Sequence, residues 1–249
     1  MAKDNRFSLE CPFLEASLRQ ELSSRFGEDC SDREITLEDI ALLNSDLGAG
    51  DGHLTLHGYR ISSLFPLSVL SNLKSLFVNS SQIKDFSFLN ELPSFCELDL
   101  GPSLLPSGKD ENLNKSQGSS RLILFRPPTR VEGSEMEIED LSPLCGLKSL
   151  KALNISSLHK VTDLSPLSGM KHLRSLRLSG YSLSDYTPLF ELPKLKELFL
   201  PFCQVTDPAF LTKLTNLKRL TLLRSNFSDQ QTQDLVKMLP GCSLQFSLS

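Results

Sequence analysis

Apolar residues along this chain recur in two alternating rhythms. Leu176 and Leu178 stand two apart, Leu183 follows, and Leu189, Leu192 and Leu195 then come three apart. A period of two marks a strand with one buried face and predicts three or four extended residues with Leu176 and Leu178 turned inward. Spacing by three stacks side chains on one face of a three-per-turn helix, so the second rhythm predicts a short helix or 3₁₀ segment. The order repeats in 22-residue segments from Leu54, Leu76, Leu176 and Leu198, which superimpose without gaps, and from Leu153 with one extra residue. A repeat of this length signals a solenoid in which each unit buries its apolar face against its neighbours.

Between the two rhythms stands an aspartate, at Asp85, Asp140, Asp163, Asp185, Asp207 and Asp229, often followed by a proline (Pro143, Pro166, Pro188). Aspartate before a helical proline is a helix start, which assigns these carboxylates to capping and not to catalysis. The ends read differently. Leu9, Phe13, Leu14, Leu18, Leu22 and Phe26 fall at helical spacing, and Thr36 with Asp39 has the pattern of a capping box opening a second helix through Leu43. Residues 1–50 are expected to form a helical N-terminal cap and residues 51–249 the repeat array. Towards the C-terminus, Leu235, Val236, Met238 and Leu239 predict a helix stopped by Pro240 and Gly241, followed by a closing strand around Leu244 to Leu248.

The consensus L-x-L-x-x-x-x-I/L-x-D-L-x-P-L-x-x-L-x-x-L strongly resembles the leucine-rich-repeat family over roughly residues 54–249. Its 22-residue length with D-L-x-P-L is similar to the subclass found in internalins and in phosphatase-regulator repeats. The resemblance implies an α/β fold: a leucine-rich-repeat solenoid of about eight coils, with a curved parallel sheet on the concave side and short helices or 3₁₀ turns on the convex side. It also implies a non-catalytic module that recognises another protein on the concave sheet, without a cofactor. As alternatives it implies the regulatory subunit of a phosphatase-like enzyme or a leaderless host-directed effector. One departure concerns the turn position where the family often carries Asn. Here Tyr59, Ser81, Tyr181, Cys203 and Ser225 stand there, so hydroxyls, a thiol and backbone groups must sustain the buried ladder.

The register breaks in the middle. Leu98-Asp99-Leu100 opens a unit, but Gly101 to Ser120 is rich in Gly, Pro, Ser and Asn and has lost the leucine spacing. Alternation returns at Leu122 and Leu124, yet the matching D-L-S-P-L arrives only at Asp140. A rival register starts that strand at Val131. Either way, residues 101–137 are expected to form an irregular, protruding insertion.

Composition narrows the class. Of 249 residues 51 are leucine, 39% are hydrophobic and 22% charged, which suits a folded chain with a sizeable core. A net charge of −4 supplies no bulk attraction to phosphate backbones or anionic lipid, so neither nucleic acid nor membrane is an expected partner. The first thirty residues hold no apolar run of signal-peptide type, and the six scattered cysteines form no C-x-x-C and read as buried reduced thiols. A cytoplasmic protein, monomeric when unbound, is the expectation.

No phosphate-binding, nucleophile-elbow or zinc-protease motif occurs, and His53 and His57, four apart on a strand, would stand about 13 Å from one another. No catalytic, cofactor or metal site is therefore expected. Function is sought on the outward columns of the strands, where neighbours of the inward leucines must point away from the core. Those columns, with the residues just after them, place Phe77, Asp99, Arg121, Ile123, Phe125, Arg177, Phe199, Phe202, Arg219 and Arg224 on the concave side. Aromatic residues interleaved with arginine are the types enriched at binding hot spots, which makes these ten the candidate protein-binding residues. The basic residues of the outer turns, such as Lys171, Lys194 and Lys213, read as a solubilising set.

Overall fold

The computed structural model describes residues 11–27, 33–57, 61, 63–79, 83, 85–101, 138–156, 158, 160–178, 183–201, 203, 205, 208–223 and 227–247. Two helices come first, α1 (Pro12–Phe26) and α2 (Leu37–Ala49). The strands β1 (His53–His57), β2 (Ser75–Asn79), β3 (Glu97–Asp99), β4 (Ala152–Ile155), β5 (Ser175–Leu178), β6 (Glu197–Leu200), β7 (Arg219–Leu223) and β8 (Ser243–Ser247) follow, with α3 (Asp229–Met238) before the last. All eight are parallel and stand in chain order in one open sheet. Six short 3₁₀ helices, among them Ser165–Gly169 and Thr187–Glu191, run along the opposite side.

The two sequence rhythms become the two walls of the core. Leu54, Leu76, Leu98, Leu153, Leu176, Leu198 and Leu220 are register partners across the sheet and are all buried. Opposite them, Leu67, Leu89, Leu144, Leu167, Leu189 and Leu211 enter from the 3₁₀ helices, equally buried. Each leucine taken out of water contributes about 1.5–3 kcal/mol, so the leucine columns supply most of the drive for coiling.

The capping aspartates act one position earlier than expected. The N-caps of the four 3₁₀ helices that follow described aspartates are Phe86, Leu141, Leu164 and Tyr186, and none caps through its side chain. Instead the preceding Asp85, Asp140, Asp163 and Asp185 each accept, at 2.8 Å, the backbone N–H two residues on. Such Asx turns aim the chain into the helix and leave the proline to fix its first turn. Asp229 is not a cap at all: Ser228 holds that role for α3, in a capping box with Gln231. Asp207 lies outside the described residues.

The middle of the sheet corrects a second expectation. β3 pairs directly with β4, Leu98 opposite Leu153, although 55 positions separate them where 22 to 24 suffice elsewhere. Lys151 N–H donates to Cys96 O at 2.7 Å, as Cys96 N–H does to Lys74 O one coil earlier, so the ladder is continuous there. Among the described residues no strand stands between β3 and β4 in the sheet, and Leu122 and Leu124 lie outside the described residues. The 3₁₀ helix Ser142–Leu144 follows the D-L-S-P-L aspartate Asp140 and precedes β4, so Leu144 enters the core between β3 and β4. Arg121, Ile123, Phe125 and Val131 lie outside the described residues.

At the N-terminal side, α2 opens with the expected capping box, Thr36 and Asp39 each bonding the other's backbone N–H. α1 starts at Pro12 and ends on Gly27, whose φ of +71° is the left-handed conformation that glycine adopts without strain. Leu14, Leu18 and Leu22 are buried while Phe13 is exposed. Arg25 ties α1 to α2 and β1: it bonds Glu21 on its own helix, Asp46 on α2 and the His53 carbonyl on β1. Leu235 in α3 and Leu239 just after it are buried, whereas Val236 and Met238 face solvent. Among the described cysteines no disulfide forms. Cys11 and Cys203 are buried as expected, Cys96 and Cys242 are half-buried, and Cys145 is exposed. Cys203 holds the turn position read as a ladder site, and its thiol donates to Leu178 O at 3.9 Å.

Candidate protein-binding face

The in-register sheet turns the outward positions into rows that run across the strands. One row reads Thr55, Phe77, Asp99, Asn154, Arg177, Phe199, Thr221 and Gln245, each opposite the next. The row beside it reads His53, Ser75, Glu97, Ala152, Ser175, Glu197, Arg219 and Ser243. Strands lie about 4.8 Å apart, so Phe77 and Phe199 stand about 19 Å apart along their row. Between them is a depression of about 320 Å³. Its small lining residues Ser75, Ala152 and Ser175 lie in the second row, and the larger Phe77, Arg177 and Phe199 in the first.

Four of the ten candidate residues thus come together. Phe77, Asp99, Arg177 and Phe199 all line the depression, half-buried. The Arg177 guanidinium lies 4.8 Å from the centre of the Phe199 ring, a cation–π contact. Asp99 is held by two bonds to one oxygen, from Gly101 N–H at 2.8 Å and Asn154 Nδ2 at 2.9 Å. Asn154 is held in turn by Ser156 N–H, which donates to its Oδ1 at 3.1 Å. Burial pushes the Asp99 carboxyl above its ordinary value, against those two bonds and the charges of Arg177 and His53.

Arg219 stands apart from the four. It is exposed at the start of β7 and forms an ion pair with Glu197 in the neighbouring column. Phe202 and Arg224, with Arg121, Ile123 and Phe125, lie outside the described residues. On β7, Thr221 and Leu223 alternate with the inward leucines yet are buried. The depression also brings in His53, Glu97 and Asn154, which the hot-spot criterion passed over because it weighs aromatic residues and arginine. His53 bridges Ser75 and Thr55 at 3.0 Å through its two ring nitrogens, the part of a surface clasp. The sequence signal for Asn154 was Gly101, a glycine closing the Leu98-Asp99-Leu100 run where a Cβ would lie 2.3 Å from Asn154 Nδ2. Among the described residues no group of three or more His, Cys, Asp or Glu could hold a metal ion, and no helix is long and apolar enough to cross a membrane.

Repeated strand–3₁₀ coils, an in-register leucine column and an open parallel sheet define a leucine-rich-repeat solenoid. Solved structures agree. The chain is similar to internalin C2 of Listeria monocytogenes, with a TM-score of 0.56 and 19% identity over 96% of this chain and 86% of that one. It is similar to another internalin of that organism, inlF, with a TM-score of 0.59 and 21% identity over 96% of this chain and 63% of that one. A leucine-rich-repeat protein of Leptospira interrogans matches 75% of this chain and 41% of its own at 23% identity and a TM-score of 0.50. At these identities the likeness is one of fold. No family model and no curated protein matches the chain.

Proposed function

We propose that this chain is a non-catalytic protein-interaction module that binds its partner on the concave sheet. The observation that carries the reading is the single row in which Phe77, Asp99, Asn154, Arg177 and Phe199 stand side by side over the depression. Solenoids of stacked repeats use such extended faces for binding. Two aromatic anchors flanking polar groups match the anatomy of an interface whose apolar centre gives affinity and whose polar groups fix orientation. Arg219 extends the face along the second row, held towards Glu197. Free thiol chemistry among the described cysteines supports a reducing, cytoplasmic setting. α1, laid against β1, covers the first edge of the sheet and supports a monomer in the unbound state.

The test is capture from a lysate of the source cell by wild type and by a Phe77→Ala, Phe199→Ala variant whose circular dichroism is unchanged. Truncating an interface aromatic at a hot spot costs about 2 kcal/mol or more, roughly thirtyfold in affinity for each. A partner held by wild type and lost by the variant upholds the concave site. Equal retention by both proteins rejects it.

A further inference from the structure

The depression is not uniform in charge. Arg177 on β5 is the one arginine or lysine among its lining residues, and its guanidinium is turned onto the Phe199 ring of β6. No ion pair engages it among the described residues, whereas the other cation of these two outward rows, Arg219, is paired with Glu197. A guanidinium held over an aromatic ring by its charge still carries the N–H donors of its fork, which suit a carboxylate. Two strands away on β3, Glu97 and Asp99 face the same side, about 6.6 Å apart along the strand. Glu97 is exposed and also enters no ion pair among the described residues, and Asp99 is pinned through Oδ1, leaving Oδ2 outside both of its bonds. Only Ala152 and Asn154 of β4 separate the two halves, and Asn154 is committed to Asp99 and Ser156.

We propose that the depression receives a partner segment carrying an acidic and a basic side chain about 10 Å apart, the carboxylate on Arg177 and the cation between Glu97 and Asp99. This rests on the concave reading above and specifies the chemistry of its partner. A uniformly acidic segment would place a second carboxylate against Glu97 and Asp99, and a uniformly basic one would meet Arg177, so like-charge repulsion excludes each. The spacing is also that of residues seven apart on an α-helix, which rise about 10.5 Å on one face. The small lining residues Ser75, Ala152 and Ser175 leave room for the backbone between the two contacts, and Phe77 and Phe199 offer apolar surface at either end.

The experiment is selection of random sixteen-residue peptides displayed on phage against the full chain, followed by affinity measurement of the enriched peptides as synthetic probes. Enriched peptides should carry one acid and one base at such a spacing. Binding should fall about tenfold or more with Arg177→Ala and with Glu97→Gln, the size of a lost charge-assisted bond. Selection on Arg177→Glu should replace the peptide's acid with Lys or Arg. Arg177→Lys keeps the charge and loses the fork, and should recover only part of the affinity. All variants are compared at equal urea-unfolding midpoint, so a loss of folding is not read as a loss of binding. Peptides that lose binding with Phe77→Ala, Phe199→Ala yet carry a single sign of charge, or ignore Arg177→Ala, overturn the charge pairing and leave the concave site standing. Peptides indifferent to the two phenylalanine substitutions, or no enrichment at all, overturn both.

Discussion

Gly101 shows how one residue positions the polar centre of the concave face. It closes the β3 run, buried, and its missing side chain is the space into which Asn154 reaches to bond Asp99. Gly101→Ala is expected to displace Asn154 and to cost about 1–3 kcal/mol in urea unfolding, the range for a broken buried hydrogen bond. In an Asn154→Ala background the added methyl has room, so the same substitution should cost less. A double-mutant cycle with no coupling between the two positions would reject this account. Asp99 gives a pH prediction of definite sign. Because burial raises its carboxyl in the folded state, its contribution to stability is full below the unfolded value of about 3.9 and is lost as pH rises through the raised folded value. Asp99→Asn keeps an oxygen to accept both bonds and cannot ionise. The stability of that variant relative to wild type should therefore increase between pH 3 and pH 7, and a constant difference across that window would remove the burial argument.

At the scale of elements, the turn aspartates carry the opposite sign. Asp85, Asp140 and Asp185 are held below the ordinary carboxylate range by bonds from Ser87, Ser142 and Thr187. Their stabilisation is present above the unfolded value of about 3.9 and is lost as pH falls through the lowered folded values. Asp185→Ala should lower the thermal midpoint at pH 7, and the two melting curves should converge as the pH approaches 2. A gap that persists at low pH would mean that the aspartate acts by something other than its charge. Thr36→Ala, which opens the capping box of α2, is expected to cost about 1 kcal/mol at neutral pH. These elements were legible in the sequence because burial imposes a distinct period on each, two on the strands and three on the 3₁₀ helices. The position of the cap was read one residue early, since an Asx turn and an N-cap place the same residue type next to the same proline. For Asp229 the misreading has another cause: Ser228 beside it is an equally good cap, and only the bond with Gln231 decides between them.

At the scale of the whole molecule, the sequence placed a strand at Leu122 and Leu124 where the sheet passes straight from β3 to β4. Alternation is a local signal, whereas pairing depends on which strand can bring its leucines into the column, and Leu153 does so opposite Leu98. The row of Phe77, Asp99, Asn154, Arg177 and Phe199 has the same origin. Its members were legible one by one as outward positions, but Asp99 and Asn154, 55 positions apart, became neighbours only through the direct pairing of β3 with β4. A shortened chain tests this directly: residues between Gly101 and Ile138 are replaced by a brief turn so that Leu98 and Leu153 stand 22 positions apart, as Leu54 and Leu76 do. Loop-closure entropy changes by only about 0.6 kcal/mol for each twofold change in length, and repeat stability is governed by contacts between neighbouring coils. The shortened protein should unfold cooperatively with a stability within about 1 kcal/mol of the full chain and keep amide protection on β3 and β4. Loss of that protection would show that the two strands need the longer connection to pair. Binding separates the remaining possibilities for the site. A partner held equally by the shortened protein assigns recognition to the row itself, and a partner lost from a well-folded shortened protein assigns part of it to Arg121, Ile123 and Phe125.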